Sequence, residues 1–224
     1  MMNVVWTSIA ASTAIALASG MSLPARGRAA ANCPYCTADG GRPDTLVANP
    51  QASSIRWSGT KLARLGRVEG SAVLTGGELV LRHGSLQSGS FSVDMRHLEV
   101  SGAPRDSASR RATREQLMSA AVFDVARYPT ATFAARSMSR TGNSTWSVTG
   151  DLTLHGVTRP VTFITDVSWP ETGHMLATTT FAVDRRAFGI DYGGSGVANA
   201  LGDSDLRLSI TLDARRRGTT VAER

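Results

Sequence analysis

Two cysteines separated by two residues, Cys33-Pro34-Tyr35-Cys36, make the sharpest reactive motif in this chain of 224 residues. A dithiol at that spacing exchanges electrons when its first sulfur sits at a helix N-terminus, where the dipole favours thiolate. The residues after it, Thr37-Ala38-Asp39-Gly40-Gly41-Arg42-Pro43, form helix poorly, and no strand pattern precedes the pair. A local disulfide between Cys33 and Cys36 is therefore the expected state in an exported protein. Thiol–disulfide exchange, including reduction of a bound quinone, is the alternative role. Haem attachment would need His after the second Cys, where Thr37 stands.

The other reactive side chains are scattered. His83, His97, His155 and His174 fall on different expected elements, with no His-x-x-x-His or Cys-His grouping, so no metal site is expected. His155, between Leu154 and Gly156, reads as a turn residue. Asp94 and Asp184 close two similar runs, Phe91-Ser92-Val93-Asp94 and Phe181-Ala182-Val183-Asp184. Two carboxylates in one cleft could do acid–base work. Nothing in the spacing brings these two together, and ion pairs with Arg96, Arg185 or Arg186 at strand ends are expected instead. No Gly-x-Ser-x-Gly elbow occurs. The search for catalytic groups thus points to a protein that is not an enzyme and needs no cofactor.

The elements that must position any site are mostly strands. Leu206, Leu208, Ile210 and Leu212 alternate with Asp205, Arg207, Ser209, Thr211 and Asp213, which gives a strand with one dry and one wet face. Trp146, Val148, Leu152 and Leu154 form the dry face of another, and Val161, Phe163, Val167 and Trp169 resume it after a turn at 155–158, so a hairpin is expected. Further strands are expected over residues 55–57, 66–74, 78–82, 86–95, 130–139, 175–184 and 203–213, with turns at Gly76-Gly77 and His83-Gly84. Many short strands at near-regular spacing imply a sandwich or barrel. Residues 108–121 lack Gly and Pro and favour a helical crossover, capped by Ser107 or Thr113 and ended at the latest by Tyr128-Pro129.

The termini carry different signals. Val4 to Leu17 is an apolar run followed by small residues and by Arg26 and Arg28. It is shorter than the roughly 20 residues that span a membrane, and residues 1–31 read as a secretory signal peptide. Residues 32–52 are rich in Gly, Pro, Asp and Ala and read as a flexible linker, residues 53–214 as the folded domain, and 215–224 as a basic tail. The formal net charge is +6, and Lys61 is the sole Lys. The arginines form no stripe interleaved with aromatics, so nucleic acid is not an expected partner; weak contact with an anionic membrane surface is the alternative to a merely solvated face.

Four segments taken in order resemble the YceI-like polyisoprenoid-binding family: residues 90–95 (SFSVDM), 117–133 (LMSAAVFDVARYPTATF), 148–161 (VTGDLTLHGVTRPV) and 183–190 (VDRRAFGI). The resemblance implies an all-β fold, an eight-stranded antiparallel lipocalin-like β-barrel with a short helical crossover. It also implies a periplasmic or secreted protein holding an isoprenoid lipid or quinone in its lumen. The Cys-x-x-Cys segment and the Arg-rich tail fall outside the family pattern. If the lumen is the site, the dry strand faces supply its lining: Phe133, Trp146, Val148, Leu152, Phe163, Val167, Phe181, Leu206 and Leu208. The same residues would serve equally as a filled core. Arg185 and Arg186 are the candidates for holding a polar or phosphate head group.

Overall fold

Strands with one dry face must close on one another to hide it, and here they close into a ring. The computed structural model describes residues 43–60, 67–82, 85–101, 106–190 and 205–217. Nine strands run in chain order: β1 (Asp44–Ala48), β2 (Ser54–Thr60), β3 (Arg67–Arg82), β4 (Ser85–Ser101), β5 (Thr130–Arg140), β6 (Thr145–Leu154), β7 (Val157–Glu171), β8 (His174–Asp184) and β9 (Asp205–Arg216). Helix α1 (Ser107–Met118) joins β4 to β5, and a 3-10 turn, η1 (Arg185–Phe188), follows β8. Every neighbouring pair is antiparallel, and pairing of β3 with β4 closes the ring.

Nine strands occupy eight positions. β1 pairs with one half of β3 and of β9, through Leu46↔Leu79 and Leu46↔Arg216, and β2 pairs with the other half of each, through Trp57↔Gly70 and Trp57↔Leu208. The two are one strand position, broken where Pro50 offers no N–H to a ladder. The break stays tied to β9: Asn49 N donates to Asp213 O at 2.8 Å, and Asp213 N donates to Ser53 Oγ at 3.1 Å. The expected eight-stranded barrel is what the chain forms.

Several boundaries differ from those expected of the sequence. β1 lies inside the stretch expected to be linker, because Leu46 is a full member of the core despite its Gly- and Pro-rich surroundings. The two strands expected over 66–74 and 78–82 are one, β3, from Arg67 to Arg82; Gly76-Gly77 are paired with β4 through register shifts and make no turn. The expected tail begins inside β9, where Arg216 reaches Asp44 at 2.9 Å, and Arg217 pairs with Glu78. Charged side chains on the wet face of a strand do not interrupt its ladder. The helix is capped by Asp106, whose carboxylate accepts from Ser109 N at 2.7 Å and is held below the ordinary Asp range by that bond. Ser107 is the first helical residue, and Thr113 is buried mid-helix with its hydroxyl on Ser109 O.

The ends of the barrel are packed. Beyond α1 the chain turns sharply through Asp124, at φ 42, and carries Val122, Phe123 and Val125 into one apolar cluster with Leu117, Phe188 and Ile190. A second cluster of Leu46, Leu79, Leu81, Val167, Met175 and Ala214 fills the other end. Burial of each large member stabilises by about 1.5–3 kcal/mol. The β6–β7 turn is a two-residue connection with His155 at φ 53 and Gly156 at φ 72. Such a turn needs positive φ at both positions, and a side chain on Gly156 would meet the Tyr128 ring 2.3 Å away.

Candidate functional site

Between the two clusters the barrel is hollow. The centre of a water-sized sphere has about 200 Å³ to move in this cavity, where roughly 10–15 Å³ would hold one water. Along β9 its wall is Leu206, Leu208, Ile210 and Leu212, every second residue, a span of about 20 Å at roughly 3.3 Å per residue. The lumen is therefore elongated along the strands. Among the described residues its lining holds no charged side chain, and its polar members are Ser and Thr hydroxyls and the indole N–H of Trp57. Several of these are already engaged: Thr165 Oγ1 donates to Thr178 O at 3.0 Å, Thr179 Oγ1 to Ile164 O at 2.6 Å, and Trp57 Nε1 to Ser71 O at 3.1 Å. Water would find few partners here, and an apolar chain would find many.

A band of phenylalanines crosses this wall. Phe91 on β4 lies 6.5 Å from Phe133 on β5, Phe133 lies 5.5 Å from Phe163 on β7, and Phe163 stacks on Phe181 of β8 at 4.4 Å and 8°. Between β5 and β7 stands β6, and its residue beneath the rings is Gly150. A Cβ there would come within 2.5 Å of the Phe133 ring, so the missing side chain is what allows Phe133 and Phe163 to meet across an intervening strand. Offset and tilted aromatic pairs add about 0.5–1.5 kcal/mol each beyond area burial.

Phe133, Val148, Leu152, Phe163, Val167, Phe181, Leu206 and Leu208 all line the lumen, as their alternation implies. Trp146 does not; its ring packs with the far-end cluster and lies 6.0 Å beneath the guanidinium of Arg140. Arg185 and Arg186 also lie outside the lining. Arg185 is 3% exposed and donates from Nη1 to Ile190 O at 2.8 Å, which turns it inward to hold η1, whereas Arg186 is exposed and pairs with Asp184 at 3.3 Å. Cys33 and Cys36 fall outside the described residues. Phe91, Val93 and Met95 continue the dry face of β4 and are legible as lining by the same alternation. Phe123 is not, because it reaches the lumen from an irregular turn.

The polar groups near the rim hold structure. Asp94 is buried within β4, at the last pair of its ladder with β5, where its carboxylate accepts from Arg96 N and Nε at 2.9 and 3.0 Å and from Arg96 Nη2 at 3.0 Å. His97 Nδ1 lies 2.9 Å from the same carboxylate. The Arg96 side-chain bonds, reinforced by its backbone N–H, hold the Asp94 carboxyl well below the usual carboxylate range. His155 Nδ1 lies 3.2 Å from Phe188 O, and His174 Nε2 lies 2.8 Å from Asp213. Among the described residues, no three His, Cys, Asp or Glu side chains gather as a metal site would require.

Residues 46–214, nearly the whole barrel, match the YceI-like domain. The chain belongs to the YceI-like family. A UPF0312 protein of Pseudomonas putida is 43% identical over 89 residues, which cover 36% of this chain and 46% of that protein. A UPF0312 protein of Pseudomonas savastanoi pv. phaseolicola is 41% identical over 87 residues, 35% of this chain and 45% of the relative. The match thus spans about half the length of these relatives. Among solved structures, a polyisoprenoid binding domain from Saccharophagus degradans superposes with a TM-score of 0.57 at 13% identity, covering 76% of this YceI-like chain and 98% of that one. BcnA of Burkholderia cenocepacia gives a TM-score of 0.55 at 17% identity, covering 74% and 98%. These two structures share the barrel fold with it.

Proposed function

We propose that this YceI-like barrel carries an isoprenoid lipid, a polyprenyl chain or the tail of an isoprenoid quinone, in its lumen. The observation that carries the reading is the elongated cavity whose lining is mainly aliphatic and aromatic and, among the described residues, without a charged group. A branched hydrocarbon chain suits such a wall, because each methylene-sized group buried stabilises by about 0.8 kcal/mol and an isoprene unit thereby contributes about 3 to 4 kcal/mol before the chain's ordering cost is set against it. A polar head has no partner inside and rests outside the lumen. A filled core, the structural alternative, is disfavoured by the same cavity. The leader-like N-terminus supports export, with the lipid acquired in the periplasm or outside the cell.

The test is mass spectrometry of an organic extract from protein purified without refolding. A prenyl species in near-stoichiometric amount is expected; an extract with no lipid after purification from a membrane-containing lysate overturns the reading. N-terminal sequencing of the same material is expected to show the leader removed.

A further inference from the structure

Carriage requires a way in, and among the described residues apolar side chains are packed at both ends of the lumen: Leu117, Phe188 and Ile190 are at most 2% exposed at one end, as are Leu46 and Leu81 at the other. Among the described residues the side wall is discontinuous between β4 and β5, whose ladder runs only from Gly89↔Ala135 to Asp94↔Thr130, and between β7 and β8, where two stacked lumen-lining rings face each other across the break. β7 runs from Val157 and β8 runs to Asp184, yet their ladder extends only from Glu171↔His174 to Thr165↔Thr179. Beyond it, β7 remains paired with β6 and β8 with β9, but among the described residues no main-chain pair joins β7 to β8. The lower edge of this gap is the Thr179 hydroxyl, which donates to the Ile164 carbonyl at 2.6 Å where a main-chain bond would continue. The upper edge is η1, held over β7 by Arg159 Nε on Ala187 O at 3.0 Å and by His155 near Phe188 O at 3.2 Å. The gap is framed on four sides, and the stacked pair Phe163 and Phe181, both part of the lumen wall, fills it. On the outer face beside it Ile164 is 52% exposed, an apolar step at the threshold.

We propose that the lipid chain enters and leaves the lumen laterally, between β7 and β8, with Phe163 and Phe181 as shutters. This rests on the lumen being the lipid site. Parting two rings that no main-chain bond spans asks only for side-chain rotation and a small splay of two strand edges, whereas entry at either end requires breaking a packed apolar cluster. The ring faces would then lie along the bound chain and close behind it.

The experiment joins the gap. In a Cys33→Ser/Cys36→Ser background, Thr162→Cys and Ala182→Cys stand on the exposed faces of the two strands and are linked by a short bis-alkylating reagent. Farnesol is the probe, followed by intrinsic tryptophan fluorescence, since Trp57 is part of the lumen wall. Linking is expected to slow association and dissociation together by about tenfold or more while leaving Kd within about twofold, as a block on the route alone must. A control link between Thr153→Cys and Thr158→Cys, whose native hydroxyls lie 2.8 Å apart across β6 and β7, is expected to change neither rate. Phe181→Ala, without any link, is expected to speed both rates. Unchanged rates in the linked protein, or equal slowing by the control, overturn the lateral route. Absence of farnesol binding in the unlinked protein overturns the lumen reading itself, and the window with it.

Discussion

The hairpins β3–β4 and β7–β8 stand on opposite sides of the barrel and carry similar runs in their second strands, Phe91-Ser92-Val93-Asp94-Met95-Arg96 within β4 and Phe181-Ala182-Val183-Asp184-Arg185-Arg186 across the end of β8. In both, the aspartate accepts from the backbone N and the Nε of the arginine two residues on. The local sequence thus produces the same Asp–Arg clamp twice, inside a continuous strand at Asp94 and at a strand end at Asp184. The walls beside the clamps differ. β3 and β4 pair at both ends of the hairpin, from Glu69↔Ser101 to Arg82↔Ser85, across a bulge that leaves Met95 to Leu98 without a β3 partner, while β7 and β8 part above Thr165↔Thr179 and do not pair again. The course of the chain beyond each clamp differs too: after Asp94 it extends along β4 and returns over a 12-residue helix, whereas after Asp184 it coils at once into the four-residue η1. A short cap that binds β7 through side chains leaves the strand edges below it free to separate, so similar motifs stand in a hairpin that pairs again beyond its bulge and in one that leaves a seam.

The largest expected effect tests whether the two caps seal the barrel equally. Phe188→Ala in η1 should cost about 3–5 kcal/mol and Leu117→Ala in α1 about 2–5 kcal/mol, read by urea unfolding. A cost below about 1 kcal/mol for Phe188 would show that η1 seals nothing. Next, hydrogen exchange should divide the hairpins. Amides of residues 158–164 and 180–184 that face the seam are expected to exchange about tenfold faster or more than those of residues 88–94, because the β7–β8 ladder does not reach them. Uniform protection would close the seam. The smallest effect concerns the two aspartates. The Asp94 side chain is 8% exposed and that of Asp184 is 45%, so Asp94→Asn should destabilise more than Asp184→Asn at neutral pH. Because the folded state lowers the Asp94 pKa, its contribution is complete above the ordinary Asp range of about 4 and is lost as pH falls below it towards the folded value. The stability gap between wild type and Asp94→Asn should therefore be flat from pH 7 to about 5 and shrink in stronger acid; a gap that widens with acidification contradicts the Arg96 pairing.

Much of this architecture is legible in the residues. Alternation in β9 and in the β6–β7 hairpin yields those strands, their dry faces and six of the lining side chains by name, and the same period in β5 and β8 yields Phe133 and Phe181. It fails where period two is not the governing signal. Leu46 is hidden among Gly and Pro, Phe123 enters the lumen from a turn with positive φ, and Trp146 sits on the right face but beyond the hollow. Arg185 looks like a surface cation beside Arg186, and only the fold of η1 shows it bonded inward to Ile190.

A barrel with a dry interior is determined by the sequence alone, since the face of each side chain depends on local period and needs no knowledge of its neighbours. Whether that interior is filled or hollow is decided only by the tertiary structure. The hollow depends on ring closure, on Gly150 standing between two phenylalanines from other strands, and on where two caps happen to pack. These are relations between residues far apart in the chain, and no local pattern encodes the volume left between them.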